Sequence, residues 1–408
     1  MQKLFSLSLL LSAFVSTIFA ADKKISVTVL AGDFERRQTI VNFTLPEDAR
    51  RFNRMRDAQG RSELLQVDKD GRAWFFLEQL NKDAQATYEL IPEGTEIGMS
   101  SGALVRRDKT KLKVNAMMMQ HDLLEYQAEP GELPRDDIKA LFRRGGYIHP
   151  LRTWNGKLIT DDFPPNHIHH HGVWWAWTKT GFEGRQPDFW NMGQSKGRVD
   201  FVAVDNSWSG HVHGGFTARH QFVDLTGPKP AVALNERWDV RVYNIHGTAG
   251  REPFWIFDLT STQTCATTNA LKLPEYHYGG IGLRGNWAWN GKDKCSFLTS
   301  EGETDREKAH ATRARWCDMS GRVDGAKVGF AILCHPENFR APQPMRVHPS
   351  EPFFCYAPQQ AGDMEIAPGK PYVSRYRFVV HDGPPHKEVL ERLWNDYAHP
   401  PKVKIEIH

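Results

Sequence analysis

Apolar and polar residues alternate along most of this chain with a period of two. Ile25, Val27 and Val29 are separated by polar positions, as are Val41, Phe43 and Leu45. Trp238, Val240 and Val242 alternate with Arg237, Asp239 and Arg241, and Tyr376, Phe378 and Val380 alternate with Arg375, Arg377 and His381. On an extended backbone successive side chains point to opposite faces, so this pattern predicts half-buried β-strands. Gly and Pro cluster between the runs, and Asp70-Gly71 marks a turn before Trp74-Phe-Phe-Leu77. Two segments carry helical spacing instead. One is about 135–143, where Ile138, Leu141 and Phe142 share a face. The other is about 386–397, where Val389, Leu390, Leu393, Trp394 and Tyr397 form a stripe after Pro384-Pro385.

Many strands with few helices, and no alternation of strand with helix, predict a mainly β protein. The expected form is large packed antiparallel sheets, either an extended β-sandwich or a jelly roll. The polar stretch from Glu93 to Ser101 reads as a linker. It divides a small N-terminal β domain, 22–101, from a large β-sandwich domain, 102–408, which carries the expected site.

Residues 1–21 read as a secretory signal peptide. Lys3 precedes an apolar run from Leu4 to Phe19, Ala20 and Ala21 are small, and Asp22-Lys23-Lys24 follows at once. The mature protein is therefore expected to be exported, with no membrane span of its own. A net charge of +3 over 408 residues leaves no footprint for nucleic acid. Five cysteines, Cys265, Cys295, Cys317, Cys334 and Cys355, lack metal-site or redox spacing. They are expected to be core thiols with room for one disulfide among them. Met117-Met118-Met119 reads as core, because consecutive strand residues cannot all reach one ion.

Candidate chemistry concentrates in 162–198. His167, His169, His170 and His171 are crowded together, followed by Trp174, Trp175, Trp177 and Trp190. If 167–171 is a strand, His167, His169 and His171 share a face and could converge on one divalent metal ion. The same imidazoles could instead move protons or hold a substrate. The tryptophans divide between core packing and stacking on sugar rings. Glu236, Arg284, Asp188, His277, His335 and Asn338 occupy strand ends or turns from which they could face a cleft.

The order of these motifs resembles a soluble bacterial family labelled "methane oxygenase PmoA". The resemblance begins at Ala31-Gly-Asp33 and Gly71-Arg-Ala-Trp74. It peaks at His167-Ile-His169-His170, Asp188-Phe-Trp190 and Gly279-Gly-Ile-Gly-Leu-Arg284. It ends at His335-Pro-Glu-Asn338-Phe-Arg340 and Arg375-Tyr-Arg377 through His381-Asp-Gly383. Family members often carry Asp before the first histidine and Arg after the last; here Asn166 and His171 stand in those places. The resemblance implies a β-sandwich shaped like sugar mutarotases and other large-sandwich carbohydrate enzymes.

Three expectations follow. The first is a secreted carbohydrate-active enzyme, a hydrolase, lyase or epimerase acting on a small-molecule or oligosaccharide substrate. His169, His170, Glu236, His277 and Arg284 would be catalytic, and Trp175, Trp177, Asp188, Trp190, His335 and Asn338 would bind substrate. The second is a metal-dependent oxygenase with His167, His169 and His171 as ligands. The third is a non-catalytic carbohydrate-binding protein of the envelope.

Overall fold

The computed structural model describes residues 24–91, 102–116, 119–244 and 254–408. The expected signal peptide, the linker 93–101 and Met117-Met118 lie outside them. The described chain is mainly β with two α-helices.

Two eight-stranded antiparallel sheets form the body of the protein. One runs in the order Met345–Val347, Phe353–Tyr356, Gly280–Arg284, Val173–Ala176, Tyr147–Leu151, Leu124–Gln127, Lys111–Ala116, Ala103–Asp108. The other runs Gly197–Trp208, His213–Asp224, Ala231–Tyr243, Phe254–Cys265, Tyr372–Asp382, Ala326–Cys334, Trp316–Val323, Cys295–Thr299. Their facing side chains fill one continuous core that includes Trp174, Trp175, Trp177, Trp238 and Trp255. This is the sandwich that the alternation predicted.

The strand Tyr372–Asp382 departs from simple alternation. Arg377 and His381 are as buried as their apolar neighbours, because the sheet is covered on both faces. Arg377 donates to both Asp258 oxygens at 2.7 and 2.9 Å. The cover is the helix Lys387–Ala398, found where the stripe placed it. It buries Leu390, Leu393 and Trp394 against Ile256, Trp316, Leu333 and Val379. Each such side chain contributes about 1.5–3 kcal/mol on burial. The expected helix at 135–143 is reduced to a single 3-10 turn, Ala140–Phe142, with no buried residue. So short a pattern cannot offset the cost of nucleation without packing.

The N-terminal unit has its own core around Val27, Phe43, Met55, Phe75 and Leu90. Its five-stranded sheet runs Lys402–Ile407, Ile25–Leu30, Gln85–Ile91, Arg54–Asp57, Ser62–Leu64. The C-terminal strand, assigned above to the large domain, thus completes the small one, with Ile25 opposite Ile407 and Leu30 opposite Lys402. The junction between the units is also polar. Arg36 and Asp396, exposed only 2 % and 3 %, meet at 2.9 Å and tie the strand Arg36–Thr44 to the C-terminal helix.

All five cysteines are free, and no disulfide forms. Cys295 and Cys317 lie on paired strands but out of register: Cys295 faces Gly321 and Cys317 faces Thr299. Among the described residues no helix is long and apolar enough to cross a membrane.

Candidate active site at the histidine loop

Residues 163–170 form a closed loop, not a strand. His167 N donates to Pro164 O, His170 N to His167 O and Phe163 N to His170 O, all at 2.8–3.1 Å. Pro164 and Pro165 disfavour extended pairing here. In successive turns residues three apart come together. His167 and His170 accordingly stack, with ring centroids 4.6 Å apart, and His169 packs edge-on against His170 at 4.7 Å. His170 is buried on an aromatic floor, 4.9 Å from Trp174 and 4.8 Å from Phe353. His167 and His169 are half-exposed.

His171 leaves this group. It is fully buried, its Nδ1 lies 2.6 Å from Asp162 Oδ1, and its ring stacks on Tyr147 at 4.2 Å. The expected convergence of His167, His169 and His171 on one face therefore does not occur, because the turn rotates each side chain differently.

A carboxylate absent from the sequence-derived site joins the loop. Glu351 Oε2 sits 3.0 Å from His167 Nδ1 and accepts from Arg284 Nη1 at 2.5 Å. The register that places Arg284 opposite Phe353 brings the two together. Arg284 is fully buried, and its Nη2 donates to Asn166 Oδ1 at 3.1 Å and Asn290 Oδ1 at 2.9 Å. A buried guanidinium needs such partners. Arg284 is thereby committed through both Nη atoms to protein groups and positions Glu351. Burial alone would raise the Glu351 pKa, but His167 and Arg284 hold it down at about 2.

His348 completes the cluster. Its Nδ1 accepts from the backbone N–H of Ser350 at 3.3 Å and of Glu351 at 3.0 Å. The neutral ring therefore carries its proton on Nε2 and presents a donor. Burial lowers its pKa to about 4, Glu351 opposes that shift, and Arg346, His167 and Arg284 reinforce it. His169 is also lowered to about 4, by burial and then by His167 and His171. Both rings are neutral at pH 7.

A ligand atom from each of His167, His348 and Glu351 lies within 4.8 Å of the others, the spacing of a metal site. The donor chemistry does not fit. The Nδ1 lone pair of His348 is taken by two backbone N–H groups, and Nε2 bears hydrogen. Glu351 is already neutralised by Arg284. Metal-binding histidines instead donate their second N–H to an acceptor. Dialysis of the protein against zinc or copper, then chelator-free buffer, should leave well under one equivalent bound by elemental analysis. Retention of a full equivalent that is lost in His348→Ala would reverse this assignment.

Several expected site residues lie elsewhere. Trp175 and Trp177 are essentially unexposed, and Trp177 Nε1 donates to Gln263 inside the core. Glu236 is buried between the sheets, bound to His220 Nδ1 at 3.0 Å, Ser261 at 2.6 Å and Gln263 at 2.8 Å. It meets no cleft. Asn338 knits its turn to the backbone of Arg375, and His335 packs edge-on against Tyr397. Neither touches the cluster. Asp188 acts at one remove: it accepts from Trp190 N and Asn191 N and so holds the buried Trp190 ring 6.0 Å from His170. His277 is exposed on a neighbouring cleft beside Tyr276 and Tyr278.

Residues 113–395 match a family described as "Family of unknown function (DUF6807)". No curated protein matches the chain.

Proposed function

The chain belongs to this family of unknown function, which brings kinship but no chemistry, and on that premise we propose that it is an exported carbohydrate-active enzyme working by acid–base catalysis. One observation carries the reading: the Arg284–Glu351–His167 relay at the lip of the loop. Glu351 Oε2 lies 3.0 Å from His167 Nδ1, out of line for a hydrogen bond, and its charge favours the tautomer with hydrogen on Nδ1, which leaves the Nε2 lone pair as a base. His348 Nε2–H faces the same cluster as a donor for an oxygen that gains charge. His169 has neither a hydrogen bond nor an ion pair to any described residue, so it is free for substrate.

Among the three reaction types, lyase and epimerase chemistry fit best. Hydrolysis at a sugar acetal usually employs two carboxylates as acid and base or nucleophile, and the carboxylate here is engaged by arginine and histidine. An imidazole base beside an N–H donor instead suits removal of a proton next to a carbonyl or carboxyl carbon.

The test is deuterium exchange from solvent into oligosaccharides and oxidised sugars. Wild type should either wash deuterium into a turned-over sugar, as epimerisation requires, or leave an unsaturated sugar, as elimination requires, and His167→Ala should slow this by about 10²–10⁴-fold. Turnover that gives neither exchange nor a double bond, or an unchanged rate in His167→Ala, would sink the proposal. The pH profile provides a second check. His348 and His169 gain protons only as pH falls through about 4, so neither ring should add an inflection to kcat/KM near neutral pH, and any contribution from them should lie near 4.

A further inference from the structure

A cleft of about 470 Å³ opens beside the cluster, lined by Tyr276, His277, Arg313, Pro344 and Gln360 among others. It is joined to the histidine loop by an unbroken run of ring contacts. Tyr276 meets Tyr278 at 5.0 Å, Tyr278 meets Trp190 at 5.4 Å, Trp190 meets His170 at 6.0 Å, and His170 stacks on His167 at 4.6 Å. Tyr276 is half-exposed and His277 exposed, with centroids 4.4 Å apart. Together they form an aromatic platform of the kind that takes the C–H face of a sugar.

Between the cleft and the cluster runs the edge strand Met345–Val347, with Pro344 at one end in the cleft wall and His348 at the other. Arg346 is its central residue. It is half-buried, yet its guanidinium has no hydrogen bond or ion pair to any described residue. Its charge reaches His277 and His310 on the cleft side and His348 on the cluster side. Burial and then Arg346 make the first two rings harder to protonate, so they do not compete for an anion as cations. Arg313 adds a second positive group. Its Nη1 is held by the carbonyls of Arg340 and Pro342, which aims the side chain without neutralising it. Lys179 Nζ lies 5.4 Å over the Tyr276 ring. Glu275, on the rim, is the opposing charge. Gln360, whose Nε2 donates to the carbonyl of His277 at 2.6 Å, completes the lining.

None of the Arg346 nitrogens is sealed from solvent, so the fork is open to an incoming anion, and its geometry suits a carboxylate. We infer that the cleft and Arg346 form a second subsite, which binds an acidic sugar unit of an oligosaccharide whose neighbouring unit lies at His167. The substrate class is thus a uronate-containing oligosaccharide. This rests on the carbohydrate reading above.

The experiment is calorimetric titration of the protein with trimers of galacturonate, mannuronate and glucuronate, each paired with its methyl ester. The ester keeps the shape and removes the charge. At least one acid should bind roughly 10- to 100-fold more tightly than its ester, the value of a charged hydrogen bond. Arg346→Met should abolish that preference, and Arg346→Lys should keep part of it. Tyr276→Ala should weaken acid and ester equally. If acid and ester bind alike and Arg346→Met changes nothing, while His169→Ala still loses both, the subsite is refuted and the carbohydrate reading stands. If no sugar binds at all, both fall. Arg313→Met provides an independent route to the same loss of preference should Arg346→Met fold poorly.

Discussion

Replacing Arg284 with methionine should cost the folded protein about 3–5 kcal/mol, the usual penalty for stranding one member of a buried ion pair. The side chain is fully buried and joins three groups that belong to separate segments: Glu351, Asn166 and Asn290. Removing it leaves a carboxylate that is only 13 % exposed facing nothing but His167. Urea unfolding followed by tryptophan fluorescence measures the loss. The double variant Arg284→Met with Glu351→Gln should recover part of it, because neither charge is then left alone. If the single variant is as stable as wild type, Arg284 is not the anchor of the loop.

The second large effect is on chemistry. Glu351→Gln should reduce turnover by about 10²–10⁴-fold, with a much smaller change in KM. The amide oxygen can still accept from Arg284, so the fold is disturbed less than in the arginine variant. What disappears is the anion beside His167 Nδ1, and with it the bias that keeps the Nε2 lone pair available. Steady-state kinetics on whichever sugar is turned over decides the matter. A Glu351→Gln protein of normal kcat would show that Glu351 serves structure only.

The architecture was readable because alternation is a local property. Trp238, Val240 and Val242 need no partner to declare themselves one face of a strand, and the stripe ending at Tyr397 is helical on its own spacing. Which face turns inward is not local. Trp175 and Trp177 share a face, as alternation requires, but that face meets the opposite sheet and not a cleft. The pairing of Lys402–Ile407 with Ile25–Leu30 lies equally beyond any local pattern.

The site was half legible. The crowding at 167–171 drew attention to the right loop, and Gly279 through Arg284 named the right arginine. Treating the loop as a strand grouped the wrong three histidines, although Pro164-Pro165 was the signal that it turns. Glu351 and His348 were missed. Yet His348-Pro-Ser-Glu351 has the same spacing as His335-Pro-Glu-Asn338, which did attract notice. Both are turns in which the histidine Nδ1 receives a following backbone N–H. One closes a structural corner and the other delivers a carboxylate to Arg284, and only the neighbouring strands distinguish them.

The strand that joins Lys402–Ile407 to Ile25–Leu30 sets an order of events during synthesis. The segment 25–91 leaves the ribosome early, but its first strand lacks one neighbour until residues 402–407 are made. An exposed strand edge invites pairing with other chains. For nearly the whole of translation the small unit therefore keeps an open edge, and its completion reports that the large sandwich behind it has been delivered in full.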